Sequence, residues 1–263
     1  MIPARKRWGQ HFLVRAETAR RIVEASGVGP GDTAFEVGPG EGALTRPLAE
    51  RAGRVLAVEI DPLRTEALAP ALPANVRLLC GDVLDRSYAD WLAAVGWSPP
   101  AVLVANLPFN AATPILVRAI EEEGTFSRAI ATVQKEVARR FSAAPGSEAY
   151  GYLSVRAAAF ARGRVLFDLP PGAFRPSPRV TSSVLELVPL TGPVDRAGRD
   201  RALAIASLAF RFRRKTVANA LSSAVDRARV TRALEELGRS PMARAEELSL
   251  ADYVALAARI GAA

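Results

Sequence analysis

One cysteine, one histidine and three lysines are all that a chain of 263 residues contains of these types. With Cys80 alone, an intrachain disulfide and a multi-cysteine zinc site are excluded. With His11 alone, two-histidine metal sites and histidine-dependent catalytic triads lack their residues, so no metal is expected. No segment reaches the ~20 consecutive apolar residues of a membrane span. The N-terminal MIPARKRWGQHFL lacks the apolar core of a secretory leader, which points to the cytoplasm and away from a membrane partner. Internal repeats and low-complexity tracts are missing too, and 49% hydrophobic with 24% charged residues is the composition of a folded protein with a sizeable core.

The formal charge of +8 is unevenly placed. Residues 1–30 hold six basic against two acidic residues and 190–263 hold thirteen against eight, while the long middle holds sixteen against seventeen. Basic ends sharing one face would suit a phosphate backbone. Because arginine so outnumbers lysine, codon bias explains the same excess, and charge alone leaves nucleic-acid binding open.

Short apolar runs at Ala34 to Val37, Arg54 to Val58, Val76 to Cys80, Ala101 to Ala105 and Arg128 to Val133 alternate with stretches of helical character. That alternation predicts an α/β fold around a mostly parallel sheet. Tyr152 to Phe160 and Thr181 to Val188 are further strand candidates, predicted as an antiparallel addition at the sheet edge. The PLTGPVD stretch near Leu190 reads as a boundary, beyond which Leu203, Ala206, Leu208 and then Val217, Leu221, Val225 fall at helical spacing. The chain therefore divides into residues 1–189, with the basic segment 1–30, and a helical part over 190–263.

The first strand ends in FEVGPGEGALT, Phe35 to Thr45, where Gly38, Gly40 and Gly42 allow a sharp turn and close approach to a ligand. The loop by itself also satisfies a dinucleotide fingerprint, with Glu59 holding a ribose in either case. Successive strand ends carry Glu36, Glu59 and Asp82, which converge at the carboxyl edge of a parallel sheet. Glu59 can accept both ribose hydroxyls, Asp82 an adenine amine, and Glu36 can support the loop or face an ammonium. An acidic surround disfavours pyrophosphate and suits the cationic S-adenosylmethionine. Each acid, taken singly, is also a helix cap.

The fourth strand runs into Asn106, Leu107, Pro108 and Phe109. The exocyclic amine of adenine is a poor nucleophile because its lone pair is conjugated with the ring. Two acceptors aimed at its hydrogens, the Asn106 side-chain oxygen and the Leu107 carbonyl held out by Pro108, would return density to nitrogen while Phe109 stacks on the base. An Asn-Leu-Pro turn closing a buried strand is the bland alternative.

With KRWGQHFL, EVGPGEGALT, VEID, NLPFN, VQKEVARR, FRPSPRVTSSV and RFRRKTVANAL in place along nearly its whole length, the chain resembles the 16S ribosomal RNA adenine dimethyltransferases. The resemblance implies a Rossmann-like class I methyltransferase with a mostly parallel seven-stranded sheet and a small all-helical C-terminal subdomain. It implies S-adenosylmethionine as cofactor, 16S RNA in the small ribosomal subunit or its precursor as partner, and action as a monomer on two adjacent adenines near the 3′ end. It implies that His11, Leu13, Gly38, Glu59, Asp82 and Asn106 line the cofactor site and that Phe174 helps hold the base beside Phe109. This family usually has Asn at His11 and Tyr at Phe109, and Phe keeps the stacking face while losing the hydroxyl.

In RFRRKTVANAL, read as a basic helical segment, Arg211, Arg213, Arg214 and Lys215 stand beside Phe210 and Phe212, as phosphate-binding charges beside rings would; core rings under a solvated charged face are the alternative. Lys135, Arg139 and Arg140 add further charge. Two other functions stay open: a 23S RNA methyltransferase of the macrolide-resistance type, whose members can carry Phe at the Phe109 position, and an assembly factor whose catalysis is secondary or lost.

Overall fold

The structure, a computed structural model, describes residue 2 and residues 9–190, 195–212 and 214–261. Its strands are β1 (Phe12–Leu13), β2 (Thr33–Val37), β3 (Arg54–Glu59), β4 (Val76–Cys80), β5 (Ala101–Asn106), β6 (Phe126–Gln134), β7 (Ala161–Leu169), β8 (Phe174–Arg175) and β9 (Ser182–Pro189). Seven of them form one sheet in the order β4-β3-β2-β5-β6-β9-β7, while β1 and β8 pair separately and antiparallel. The β2–β3, β2–β5, β3–β4 and β5–β6 pairs are parallel and β6–β9 is antiparallel, giving the predicted mostly parallel sheet. Helix α1 (Ala16–Ser26) precedes the sheet, and crossover segments supply α2 (Thr45–Arg51), α3 (Pro62–Leu68), α4 (Tyr88–Ala93) and α5 (Ala112–Glu121). Strands β2, β3 and β5 are buried almost throughout because helices cover both faces, which is why they read as continuous apolar runs rather than alternating ones.

Two compact units emerge: residues 1–138 with 162–189, and residues 139–161 with 190–263. The second unit thus takes in a central segment as well as the C-terminal one. It contains α7 (Tyr152–Ala158), where a strand was expected; α6 (Lys135–Phe141) precedes it. Gly151 is fully extended and its N–H donates to Ser154 Oγ at 3.1 Å, which starts a helix where the alanines of YLSVRAA favour one. The edge strand is instead β7, ARGRVLFDL, whose mixed exposure and charged side chains hide its period in the sequence.

The remaining helices of the second unit are α8 (Arg196–Phe210), α9 (Val217–Ala220), α10 (Arg227–Glu236) and α11 (Leu250–Ile260). Asp195, Thr216, Asp226 and Ser249 cap them in turn, each accepting a backbone N–H of the first turn. Ile205, Val217, Leu234, Tyr253 and Leu256 lie in its buried core, with the Tyr150 and Tyr253 hydroxyls donating to the carbonyls of Leu248 and Ala245 at 2.9 Å.

Candidate active site

At the carboxyl end of β2 the chain turns through Gly38 and Gly40 at φ +68° and +57°, angles that side chains with a Cβ resist. A Cβ on Gly40 would sit 2.7 Å from Phe12 Cε1, so the ring of β1 lies directly on this loop. A Cβ on Gly38 would meet nothing within 4 Å, leaving open space beside the strand end. Glu59, at the end of β3, fastens the loop: Oε2 accepts from Gly40 N–H at 2.9 Å and Oε1 from Asp61 N–H at 3.0 Å. Those bonds use two of about four acceptor directions of a carboxylate. Burial raises the Glu59 pKa, and the Asp61 and Gly40 N–H groups oppose that rise.

Glu36 is 1% exposed and its Oε2 has no hydrogen-bond partner. Desolvation pushes its pKa up to about 8, Thr45 pulls against it, and the nearby Glu59 charge adds to the rise. Asp82 does cap a turn: its Oδ1 accepts from Leu84 N–H at 2.9 Å. Only one of its oxygens is used there.

Arg64 is absent from the predicted site and central to the observed one. On α3 and 2% exposed, its guanidinium lies 4.1 Å from the Phe12 ring centroid, 3.7 Å from Glu41 and 3.8 Å from Asp61. It ties the glycine loop to the strand lying on it. The signal available in the sequence was electrostatic: a strand end carrying Glu59 and Asp61, which calls for a nearby cation once buried.

The acceptor loop leaves β5 at Asn106, whose Nδ2 donates to the His11 carbonyl at 2.7 Å. A carbonyl can only accept, so this bond fixes which end of the amide is which. Ala111 N–H closes the following turn on Pro108 O at 3.0 Å, leaving the Leu107 carbonyl outside that turn. Phe109 is half-buried, its N–H meets Gly9 O at 3.5 Å, and its ring centroid lies 4.8 Å from that of His11. His11 Nδ1 lies 2.6 Å from Pro176 O and therefore carries the hydrogen.

His11, Gly38, Glu59, Asp82 and Asn106 thus sit at or beside the ends of the parallel strands. Leu13 and Phe174 are paired across β1 and β8, and both are buried in an apolar cluster with Ile22, Leu169 and Val184. At 4% exposure, the Phe174 ring is buried against Leu13 and its neighbours. Packing against Leu13 and its neighbours accounts for the ring, a role that the FRPSPR motif does not distinguish from stacking.

The basic C-terminal segment is a turn rather than a helix: α8 ends at Phe210, Lys215 N–H bonds Phe212 O at 2.8 Å, and α9 begins at Val217. Its two rings divide. Phe210 packs toward Tyr150 and Tyr253, whereas Phe212 is 45% exposed with Lys215 Nζ 4.4 Å from its centroid. Arg211, Arg214 and Lys215 are exposed, and Arg213 lies outside the described residues. Lys135 pairs with Asp168 at 2.5 Å. Among the described residues no group of three His, Cys, Asp or Glu could hold a metal, and no helix is long and apolar enough to cross a membrane.

The chain matches the family described as ribosomal RNA adenine dimethylase over residues 1–261. A relative from Xanthomonas campestris pv. campestris (strain 8004), named Ribosomal RNA small subunit methyltransferase A, is 40% identical over 97% of this chain and 95% of its own. One of the same name from Kineococcus radiotolerans is 41% identical over 96% and 85%. Among solved structures, the 23S rRNA methyltransferase ErmE superposes with a TM-score of 0.74 at 25% identity, covering 95% of this chain and 99% of the other. A dimethyladenosine transferase from Plasmodium falciparum gives 0.74 at 22% identity over 94% and 96%, a likeness of fold.

Proposed function

The chain belongs to the ribosomal RNA adenine dimethylase family, and on that premise we propose that it methylates adenine N6 in 16S RNA of the small ribosomal subunit or its precursor. Two adjacent adenines near the 3′ end each receive two methyl groups. The observation that carries this reading is the Asn106 amide: its nitrogen end is bonded to His11, so its oxygen is the end left to accept a hydrogen from a base. The Leu107 carbonyl is the second acceptor, and together they draw the amine lone pair out of conjugation and aim it in line. Phe109 stacks on the base, which must leave any helical stack to reach it. No strong general base is needed, because the methylated, cationic amine readily loses its proton.

S-adenosylmethionine supplies the electrophilic methyl carbon. The residues present fit such a cofactor: a buried carboxyl oxygen without a partner on Glu36 suits a cationic group, and Glu59 retains acceptor capacity for ribose hydroxyls. Asp82 has a second oxygen for an adenine amine, and the space at Gly38 admits close approach. His11 and Leu13 border the site from the N-terminal side. Residues 1–189 carry this chemistry and 190–263 dock RNA, with Arg211, Arg213, Arg214 and Lys215 on phosphates and the exposed Phe212 as a stacking ring. The protein acts as a monomer in the cytoplasm.

A second reading, methylation of 23S RNA, is favoured by the full-length likeness to the 23S enzyme, which at 25% identity stands well below the 40–41% of the small-subunit relatives. Purified protein with labelled S-adenosylmethionine and separate unmethylated 30S and 50S particles decides between them. Label at two adjacent adenines of 16S RNA is the expected result. Label confined to 50S particles supports the 23S reading, and calorimetric binding of NAD without S-adenosylmethionine refutes both.

A further inference from the structure

Residues Gly9 to Leu13 touch both the acceptor loop and the glycine loop within the first compact unit. Gly9 O meets Phe109 N–H, His11 O meets the Asn106 amide, the His11 ring lies against Phe109, and Phe12 rests on Gly40 beneath Arg64. Phe12 and Leu13 are held by pairing with Arg175 and Phe174. His11 precedes those paired positions. The contact that fixes it is its own side chain, bonded through Nδ1–H to the Pro176 carbonyl one residue beyond β8.

We propose that His11 is a positioning residue for methyl transfer: its Nδ1–H tether to Pro176 holds its main-chain carbonyl where it sets the Asn106 amide, and so aims the amide oxygen at the acceptor amine. Rotation of the amide is what the tether prevents. An Asn amide can flip about its last torsion, exchanging a donor for an acceptor, and only a fixed partner removes that ambiguity. At 2.7 Å the His11 carbonyl is that partner, and it accepts only from the nitrogen end. A flipped Asn106 would present N–H groups to the two hydrogens of an adenine amine and repel it. The tether therefore acts first on the orientation of the acceptor group. The inference rests on the methyltransferase reading for its rate consequence, although the amide geometry is independent of it.

Two variants separate donor from ring. His11→Phe keeps an aromatic ring against Phe109 and removes the donor. His11→Asn keeps a donor one bond beyond Cγ, where Nδ1 now stands, and removes the ring. In single-turnover transfer to unmethylated small subunits, His11→Phe is expected to lower the rate about tenfold, the equivalent of one neutral hydrogen bond. Because His11 also borders the cofactor site, cofactor Kd is expected to change by a smaller factor than the rate, and His11→Asn should recover most of the lost rate. A second readout needs no turnover: the Asn106 side-chain amide protons, followed by nuclear magnetic resonance in the full chain, should lose protection from solvent exchange in His11→Phe and keep it in His11→Asn. The proposal is overturned if amide protection is unchanged in His11→Phe, if His11→Asn behaves like His11→Phe, or if cofactor affinity falls by the same factor as the rate. An inactive wild-type protein would count against the enzymatic reading, and the amide protons would still decide this one.

Discussion

Replacing Glu36 by Gln should stabilise the ligand-free protein, and by an amount that grows with pH. The native carboxyl holds its proton up to about 8, against an ordinary value of 4.5, because it is buried without a partner for Oε2. The folded state therefore binds this proton more tightly than the unfolded chain. Stability from this group is complete below pH ~4.5 and is lost as pH rises toward ~8, at about 1.4 kcal/mol per pH unit. At pH 7 the accumulated loss is roughly 3 kcal/mol, an upper figure because water penetration and local relaxation soften such burial costs. Gln matches the shape of the protonated acid and cannot ionise. Its amide takes the place of the acid hydroxyl in the same buried setting beside Thr45, so the two proteins should differ little near pH 5. Denaturant unfolding of wild type and Glu36→Gln at pH 5, 6, 7 and 8 measures the difference directly, and subtraction cancels the titrating groups that do not interact with Glu36. The advantage of the variant should widen by roughly 3 kcal/mol over that range. Two stability profiles that run parallel within about 0.5 kcal/mol would refute the buried-acid argument.

The same carboxyl should release a proton when the cationic cofactor binds at neutral pH, seen as a buffer-dependent binding enthalpy that Glu36→Gln abolishes. Gly40→Ala combines a positive φ with a Cβ placed 2.7 Å from Phe12, and should cost about 1–3 kcal/mol of stability and weaken S-adenosylmethionine binding in calorimetry. Arg64→Met leaves Asp61 and Glu41 without their buried cation and should lower stability by about 3–5 kcal/mol in thermal unfolding. Asn106→Ala should reduce methyl transfer by about 100-fold or more while RNA binding, measured by filter retention, changes little. Phe212→Ala removes an exposed ring and should weaken RNA binding by about 1–3 kcal/mol without altering cofactor affinity.

Particular elements show where sequence reasoning carried and where it stopped. Strands β2, β3 and β5 were legible because covering both faces of a strand forces an unbroken apolar run, which needs no knowledge of neighbours. Tyr152 to Phe160 misled because a short apolar stretch has no decisive period, and burial within the helical unit selected α7 there. Strand β7 hid behind its edge position, where solvent tolerates Arg162 and Arg164. Phe210 and Phe212, two residues apart, differ entirely in setting because α8 ends between them.

The sequence by itself determined the αβ alternation, the glycine turn, the row of acids at strand ends and the Asn-Leu-Pro-Phe loop, since each is written in local residue types and spacings. Tertiary structure alone decided what the other site residues are committed to: Glu59 stapling Gly40, Arg64 buried among carboxylates, and His11 fixing the Asn106 amide across a separation of 95 positions. Hydrogen-bond direction and burial depend on which distant groups meet in space, and no periodicity along one chain encodes that meeting.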